Sequence, residues 1–71
     1  MFNKKYDVAM KVLDEEIEFA KSMFDKFNEL YNKDIENGKN GRINFSLSMT
    51  WFDKHQALFD LKRRIMKEID C

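Results

Sequence analysis

The chain has 71 residues, of which 44% are hydrophobic and 14% aromatic, and its 13 basic and 13 acidic side chains cancel to a net charge of zero. This length allows one domain with a modest core, and the charge balance argues against a phosphate-binding surface, so nucleic acid is not an expected partner. A single cysteine excludes an internal disulfide, and no Cys/His cluster or long apolar stretch suggests a metal site or a membrane span. We expect no cofactor.

The start of the chain and its cysteine content bear on localisation. Charged residues follow Met1 and Phe2 closely, which is not typical of a secretory signal peptide. A lone cysteine fits a reducing compartment. We therefore expect a cytoplasmic protein. Lys, Asn, Ile and Phe are plentiful and Pro is absent, a usage typical of AT-rich genomes, including those of bacteria and their phages, and so suggestive of a phage-like small protein.

The first half of the chain carries an unbroken heptad stripe, in which apolar residues recur at alternating steps of four and three positions. The stripe consists of Tyr6, Met10, Leu13, Ile17, Ala20, Phe24, Phe27 and Tyr31. It predicts one helix over residues 3–36 that buries a coiled-coil-like seam. A second apolar row contains Ala9, Val12, Phe19, Met23 and Leu30, interrupted by Glu16 and Lys26. A face this wide predicts contact with two neighbours.

The middle of the chain holds both glycines and a strictly alternating segment. Asn37-Gly38 predicts the end of the first helix, and residues 37–42 are expected to form a polar loop. Residues 43–51 then alternate between apolar and small polar side chains, which predicts a short β-strand over residues 43–49. A helix is the alternative, because Ile43, Leu47 and Trp51 also lie four residues apart. A lone strand leaves its backbone unpaired, so the expected partner is the same strand in another copy.

The last third of the chain predicts a second amphipathic helix over residues 51–69. Thr50 lies at a capping-box spacing from Asp53. The cations Lys62, Arg63, Arg64 and Lys67 lie near the end of this helix, where they suit its negative pole. The predicted fold is therefore mainly α, a single domain of residues 1–71 with the order α-β-α, completed by homo-oligomerisation.

No combination of residues predicts an enzyme. His55 is the only histidine and lies among apolar residues, which favours a partly buried interface residue over a base or metal ligand. Helical geometry separates the carboxylates of Asp14, Glu15, Glu16 and Glu18, so this acidic run favours a solvated face over acid–base chemistry. Cys71 is interpreted as a thiol without a role.

The pattern points to a non-enzymatic protein-binding module, a homodimer or larger homo-oligomer that regulates or inhibits another protein. The expected core and oligomer interface consists of Tyr6, Met10, Leu13, Ile17, Phe24, Phe27, Tyr31, Phe45, Leu47, Trp51, Leu58 and Ile65. The expected contacts to the partner protein are Arg42, Asn44, His55, Lys62, Arg63 and Arg64.

Two alternatives come from other classes of function. The first is an oligomer that sequesters a flat, nucleotide-like ligand between aromatic side chains. Its candidate residues are Phe24, Phe27, Tyr31, Phe45, Trp51, Phe52 and Phe59, for which core packing is the favoured interpretation. The second is a DNA-binding regulator whose paired strands form a ribbon in the major groove, with polar side chains such as Arg42 and Asn44 facing the bases.

Overall fold

The protein is a two-helix hairpin. The structure, a computed structural model, describes residues 4–70, except for the side chain of Asp70; the predicted helix position 3 and Cys71 lie outside this range. Helix α1 spans Lys4–Glu36 and helix α2 spans Arg42–Asp70. The helices are antiparallel, since Tyr31 contacts Phe45 beside the loop, whereas Asp14 contacts Lys62 far from it. The hairpin measures 56 × 17 × 12 Å.

The predicted strand over residues 43–49 is wrong. Residues 4–70 contain no strand, and α2 begins at Arg42 rather than near residue 51, so the fold is not α-β-α. A helix satisfies its backbone hydrogen bonds internally, whereas a lone strand in this chain has no partner. The small polar side chains also fit a helix: Ser48 Oγ donates to the Phe45 carbonyl at 2.8 Å, and Thr50 Oγ1 donates to the Ser46 carbonyl at 3.0 Å. Thr50 is therefore an interior helical residue and not a cap.

The end of α1 at Glu36 is closed by a Schellman motif. Gly38 has a φ of +72°, the left-handed conformation that glycine adopts without steric cost. The Lys39 N–H donates to the Asp34 carbonyl at 2.7 Å, and the Gly38 N–H donates to the Ile35 carbonyl at 3.1 Å. These two bonds pair carbonyls that the helix end leaves without an intrahelical donor. The helix end predicted at Asn37-Gly38 is confirmed.

The start of α2 is capped by the loop that precedes it. The Asn40 side-chain oxygen accepts a hydrogen bond from the Arg42 N–H at 3.0 Å, and the Gly41 carbonyl accepts the first helical bond from the Phe45 N–H at 2.8 Å. Gly41 is buried against α1, and a Cβ added there meets Tyr31 Cδ1 at 2.5 Å. The turn between the helices therefore requires a residue without a side chain at this point.

The hairpin has almost no fully buried apolar side chain among residues 4–70. Within residues 4–70, Ala20 is the only fully buried hydrophobic residue, and the two other buried residues are Gly41 and Ser48. The radius of gyration is 16.3 Å, against about 11 Å for a compact domain of this length. The accessible surface is 6037 Å², whereas a compact protein of this mass exposes about 4,700 Å². Two helices side by side form a contact line rather than an enclosed core.

Candidate interaction surface

The α1 stripe lies along the contact with α2. Its apolar members are half-buried, apart from the fully buried Ala20. The half-buried side chains are Tyr6, Met10, Leu13, Ile17, Phe24, Phe27 and Tyr31. The small Ala20 side chain lets the helices approach closely at the middle of the hairpin.

The facing stripe on α2 is partly polar, which hydrophobic pattern alone did not reveal. Most of the less exposed positions of α2 recur at steps of four and three: Asn44, Ser48, Trp51, His55, Leu58, Lys62 and Ile65. Phe52, next to Trp51, is half-buried as well. Asn44 Nδ2 donates to Asp34 Oδ2 at 2.8 Å, which ties the start of α2 to the end of α1. Phe45 and Leu47, expected in the core, are 47% and 38% exposed.

Aromatic pairs define two opposite edges of the helix contact. Phe19 packs edge-on against Trp51 with ring centroids 5.6 Å apart, and Phe24 packs against Phe52 at the same distance. Five residues separate Phe19 from Phe24, so their side chains point about 140° apart around α1. We name these the Phe19 edge and the Phe24 edge. Tyr31 extends the Phe24 edge by packing against Phe45, with centroids 5.4 Å apart.

Both edges leave large apolar side chains in solvent. On the Phe19 edge, Val12 is 52% exposed, Phe19 53% and Leu61 47%. On the Phe24 edge, Phe45, Phe59 and Met66 are 43–47% exposed and, with Phe52, recur every seventh residue of α2. The seven-residue spacing is visible in the sequence and could have added Phe59 and Met66 to the predicted core and oligomer interface, which omits both. Exposed apolar surface on this scale marks interaction sites in soluble proteins.

The basic side chains near the end of α2, Lys62, Arg63 and Arg64, lie in different environments. Lys62 crosses to α1 and pairs with Asp14 at 2.5 Å, with 28% of its side chain exposed. Arg63 pairs with Asp60 on its own helix at 3.9 Å, and both side chains are largely exposed. Arg64 is exposed. Of the expected partner contacts, Lys62 therefore forms an ion pair within the hairpin, whereas Arg63 and Arg64 face solvent.

The remaining expected partner contacts also divide between the hairpin and solvent. Arg42 is exposed at the first position of α2, while Asn44 is half-buried in its bond to Asp34. His55 is half-buried and stacks on Phe59, with ring centroids 6.3 Å apart. No group of three or more potential metal ligands occurs within residues 4–70.

The aromatic rings pack against one another across the two helices. Three ring pairs join α1 to α2, which accounts for most of the aromatic residues proposed for a flat-ligand site. Three open surface depressions lie on the described residues, and none of these three is lined by an aromatic side chain. The ring geometry thus favours packing. The DNA-reading alternative depended on a strand ribbon, and residues 43–49 are helical instead.

Neither α1 nor α2, over the range described, contains an apolar stretch that could cross a membrane. Comparison of the chain with family models, with curated proteins and with solved structures gave no match. The surface chemistry of the hairpin is therefore the basis for a functional proposal.

Proposed function

We propose that this protein is a small, non-enzymatic protein-binding module that self-associates and regulates or inhibits another protein by direct contact. One observation carries the proposal: twelve large hydrophobic side chains of the hairpin are at least 38% exposed. Burying apolar surface contributes about 25 cal/mol per Å², so a partner that covers such a surface gains substantial binding energy. Paired helices with exposed apolar edges suit the recognition of another helix or of a second hairpin.

Self-association is tested by the mass of the chain in solution. Sedimentation equilibrium at micromolar concentration is expected to give a multiple of the 8.6 kDa chain mass. Elongation does not disturb this measurement, because equilibrium sedimentation depends on mass rather than on shape. A single species of 8.6 kDa that melts cooperatively contradicts the self-association part of the proposal.

Binding of a second protein is tested by affinity capture from the native host with matched variants. Phe59→Glu places a charge within the exposed apolar row of α2, whereas Asp53→Asn alters an exposed polar position of the same helix. The captured protein is expected to be lost with Phe59→Glu and retained with Asp53→Asn. Phe59 lies on the Phe24 edge, so equal capture by both variants argues against binding through that edge. Circular dichroism establishes that both variants stay helical.

A further inference from the structure

We propose that a second copy of this chain packs on the outer side of α1 at the Phe19 edge, with the two α1 helices antiparallel and a twofold axis at the level of Lys21. The contact surface is a row of six side chains, named here the Val12–Leu30 row: Val12, Glu16, Phe19, Met23, Lys26 and Leu30. This inference rests on the self-association proposed above and supplies its geometry.

The Val12–Leu30 row is self-complementary when read in opposite directions. Its members follow one another at steps of four, three, four, three and four residues, a spacing that is the same from either end. An antiparallel second copy centred at Lys21 therefore sets Val12 against Leu30, Phe19 against Met23 and Glu16 against Lys26. Every apolar residue meets an apolar residue, and each of the two charges meets its opposite. The twofold axis repeats each of these contacts.

The row lies at one edge of the contact within the hairpin, which it meets through Phe19 on Trp51. It runs about 100° around α1 from the stripe that faces α2. Val12 and Phe19 are 52% and 53% exposed, and Met23 and Leu30 are half-buried. Glu16 and Lys26 are exposed and are absent from the ion pairs formed among residues 4–70; the Lys26 ammonium lies 5.8 Å from the Phe27 ring centroid. The row is thus available to a second copy.

The surface area of the hairpin is sufficient for such a dimer. The chain exposes 6037 Å², roughly 1,300 Å² more than a compact protein of its mass, while a standard stable interface takes about 800 Å² from each partner. Leu47 and Leu61 of α2 are also exposed, and the helix period places both on the side of α2 opposite Phe52, so they extend the apolar area of the Phe19 edge beyond α1. The resulting arrangement is a four-helix bundle.

Glu16 and Lys26 favour the antiparallel pairing centred at Lys21 over a parallel pairing and over shifted registers. A parallel contact between the two α1 helices sets Glu16 against Glu16 and Lys26 against Lys26, which repels. Sliding the antiparallel pair by four residues breaks both ion pairs: it sets Glu16 against Leu30 in one direction and Lys26 against Val12 in the other, where the charge is desolvated without a partner. Opposite charges at the rim of an apolar contact give it a defined direction and register.

Charge-reversal variants test the pairing. Glu16→Lys and Lys26→Glu alone each set like charges against one another at both symmetry-related pairs, so each is expected to raise the dimer dissociation constant about tenfold or more at low salt. The double variant E16K/K26E restores opposite pairs and is expected to return the constant to within about threefold of that of the unmodified chain. Mixing the two single variants is expected to give a heterodimer in preference to either homodimer.

Matched controls separate pairing from net charge. Glu18→Lys and Lys21→Glu make the same charge changes at exposed α1 positions on the side away from the row, and both are expected to leave the dissociation constant nearly unchanged. Sedimentation velocity measures all of these variants, and circular dichroism monitors their folding. If the chain is dimeric but indifferent to the single reversals, or if the double variant fails to recover, the inference is overturned while the proposed self-association stands. A chain that stays monomeric overturns both.

Discussion

At the scale of single residues, glycine is required at positions 38 and 41 for different physical reasons. Gly38 needs its left-handed backbone, with a φ of +72°, but has open space around the position of a Cβ. Gly41 needs space, because a Cβ there lies 2.5 Å and 2.9 Å from two ring carbons of Tyr31. The first requirement is local to the end of α1, whereas the second exists only because α2 returns along α1.

Replacing Gly41 by alanine is expected to destabilise the hairpin by roughly 1–3 kcal/mol, because the Tyr31 ring or the backbone must move. Replacing Gly38 is expected to cost roughly 1–2 kcal/mol through backbone strain. Urea denaturation measures both, and repeating it in a Tyr31→Leu background separates the two causes. The Gly41→Ala loss should shrink there, and the Gly38→Ala loss should not. Equal losses in the two backgrounds contradict the steric explanation for Gly41.

At the scale of elements, α2 shows how a helix forms over an alternating sequence. Its first turns carry Ile43, Phe45, Leu47 and Met49, which a helix distributes around its circumference and leaves 38–76% exposed. Two of the polar positions between them face α1 instead: Asn44 bonds to Asp34, and Ser48 is 1% exposed. A small buried residue such as Ser48 allows close helix packing, and its hydroxyl is satisfied by its own helix.

Proline substitutions test the start of α2. Leu47→Pro falls in the interior of the helix, removes a backbone hydrogen bond and is expected to cost about 3 kcal/mol, with a clear loss of helical signal in circular dichroism. Arg42→Pro is the matched control, since proline fits the first helical position and removes only the Arg42 N–H bond to Asn40, for an expected smaller loss of about 1 kcal/mol. Similar damage from both substitutions contradicts a helix beginning at Arg42. Helical carbon chemical shifts for Asn44–Ser48 are the direct test.

At the scale of the whole molecule, the hairpin is long and thin. Its extents of 56 × 17 × 12 Å leave nearly every side chain within reach of solvent, so packing between two helices supplies most of the burial available to one copy. Small chains with limited burial commonly gain stability from disulfides, metals or association. With one cysteine and no cluster of potential metal ligands among residues 4–70, association is the source we propose.

Stability that depends on association depends on protein concentration. The melting temperature is expected to rise by several degrees between about 5 μM and 500 μM chain, because association stabilises the folded state by mass action. Far-ultraviolet circular dichroism in cells of different path length follows both samples. The Glu16→Lys variant is expected to melt lower than the unmodified chain at the low concentration. A melting temperature independent of concentration identifies a hairpin that is stable as a single copy.

The sequence by itself determined α1 and its end. The stripe from Tyr6 to Tyr31 has one helical interpretation, because steps of four and three match the helix period and no other, and Gly38 marks a termination that needs only local backbone geometry. The Val12–Leu30 row, too, is readable in the sequence, since its charges and spacing need only the helix that carries them.

Only the tertiary structure decided the region that follows. Ile43, Leu47 and Trp51 satisfy both a strand period and a helical spacing, so the pattern cannot separate the two. Whether this segment forms a helix or a strand depends on which structure can pair its backbone N–H and C=O groups. It also depends on contacts distant in sequence, such as Asn44 with Asp34 and Gly41 with Tyr31. The half-polar stripe of α2 has the same cause: Lys62 lies at the helix contact because Asp14 lies across from it, a pairing that exists only once the chain has folded back.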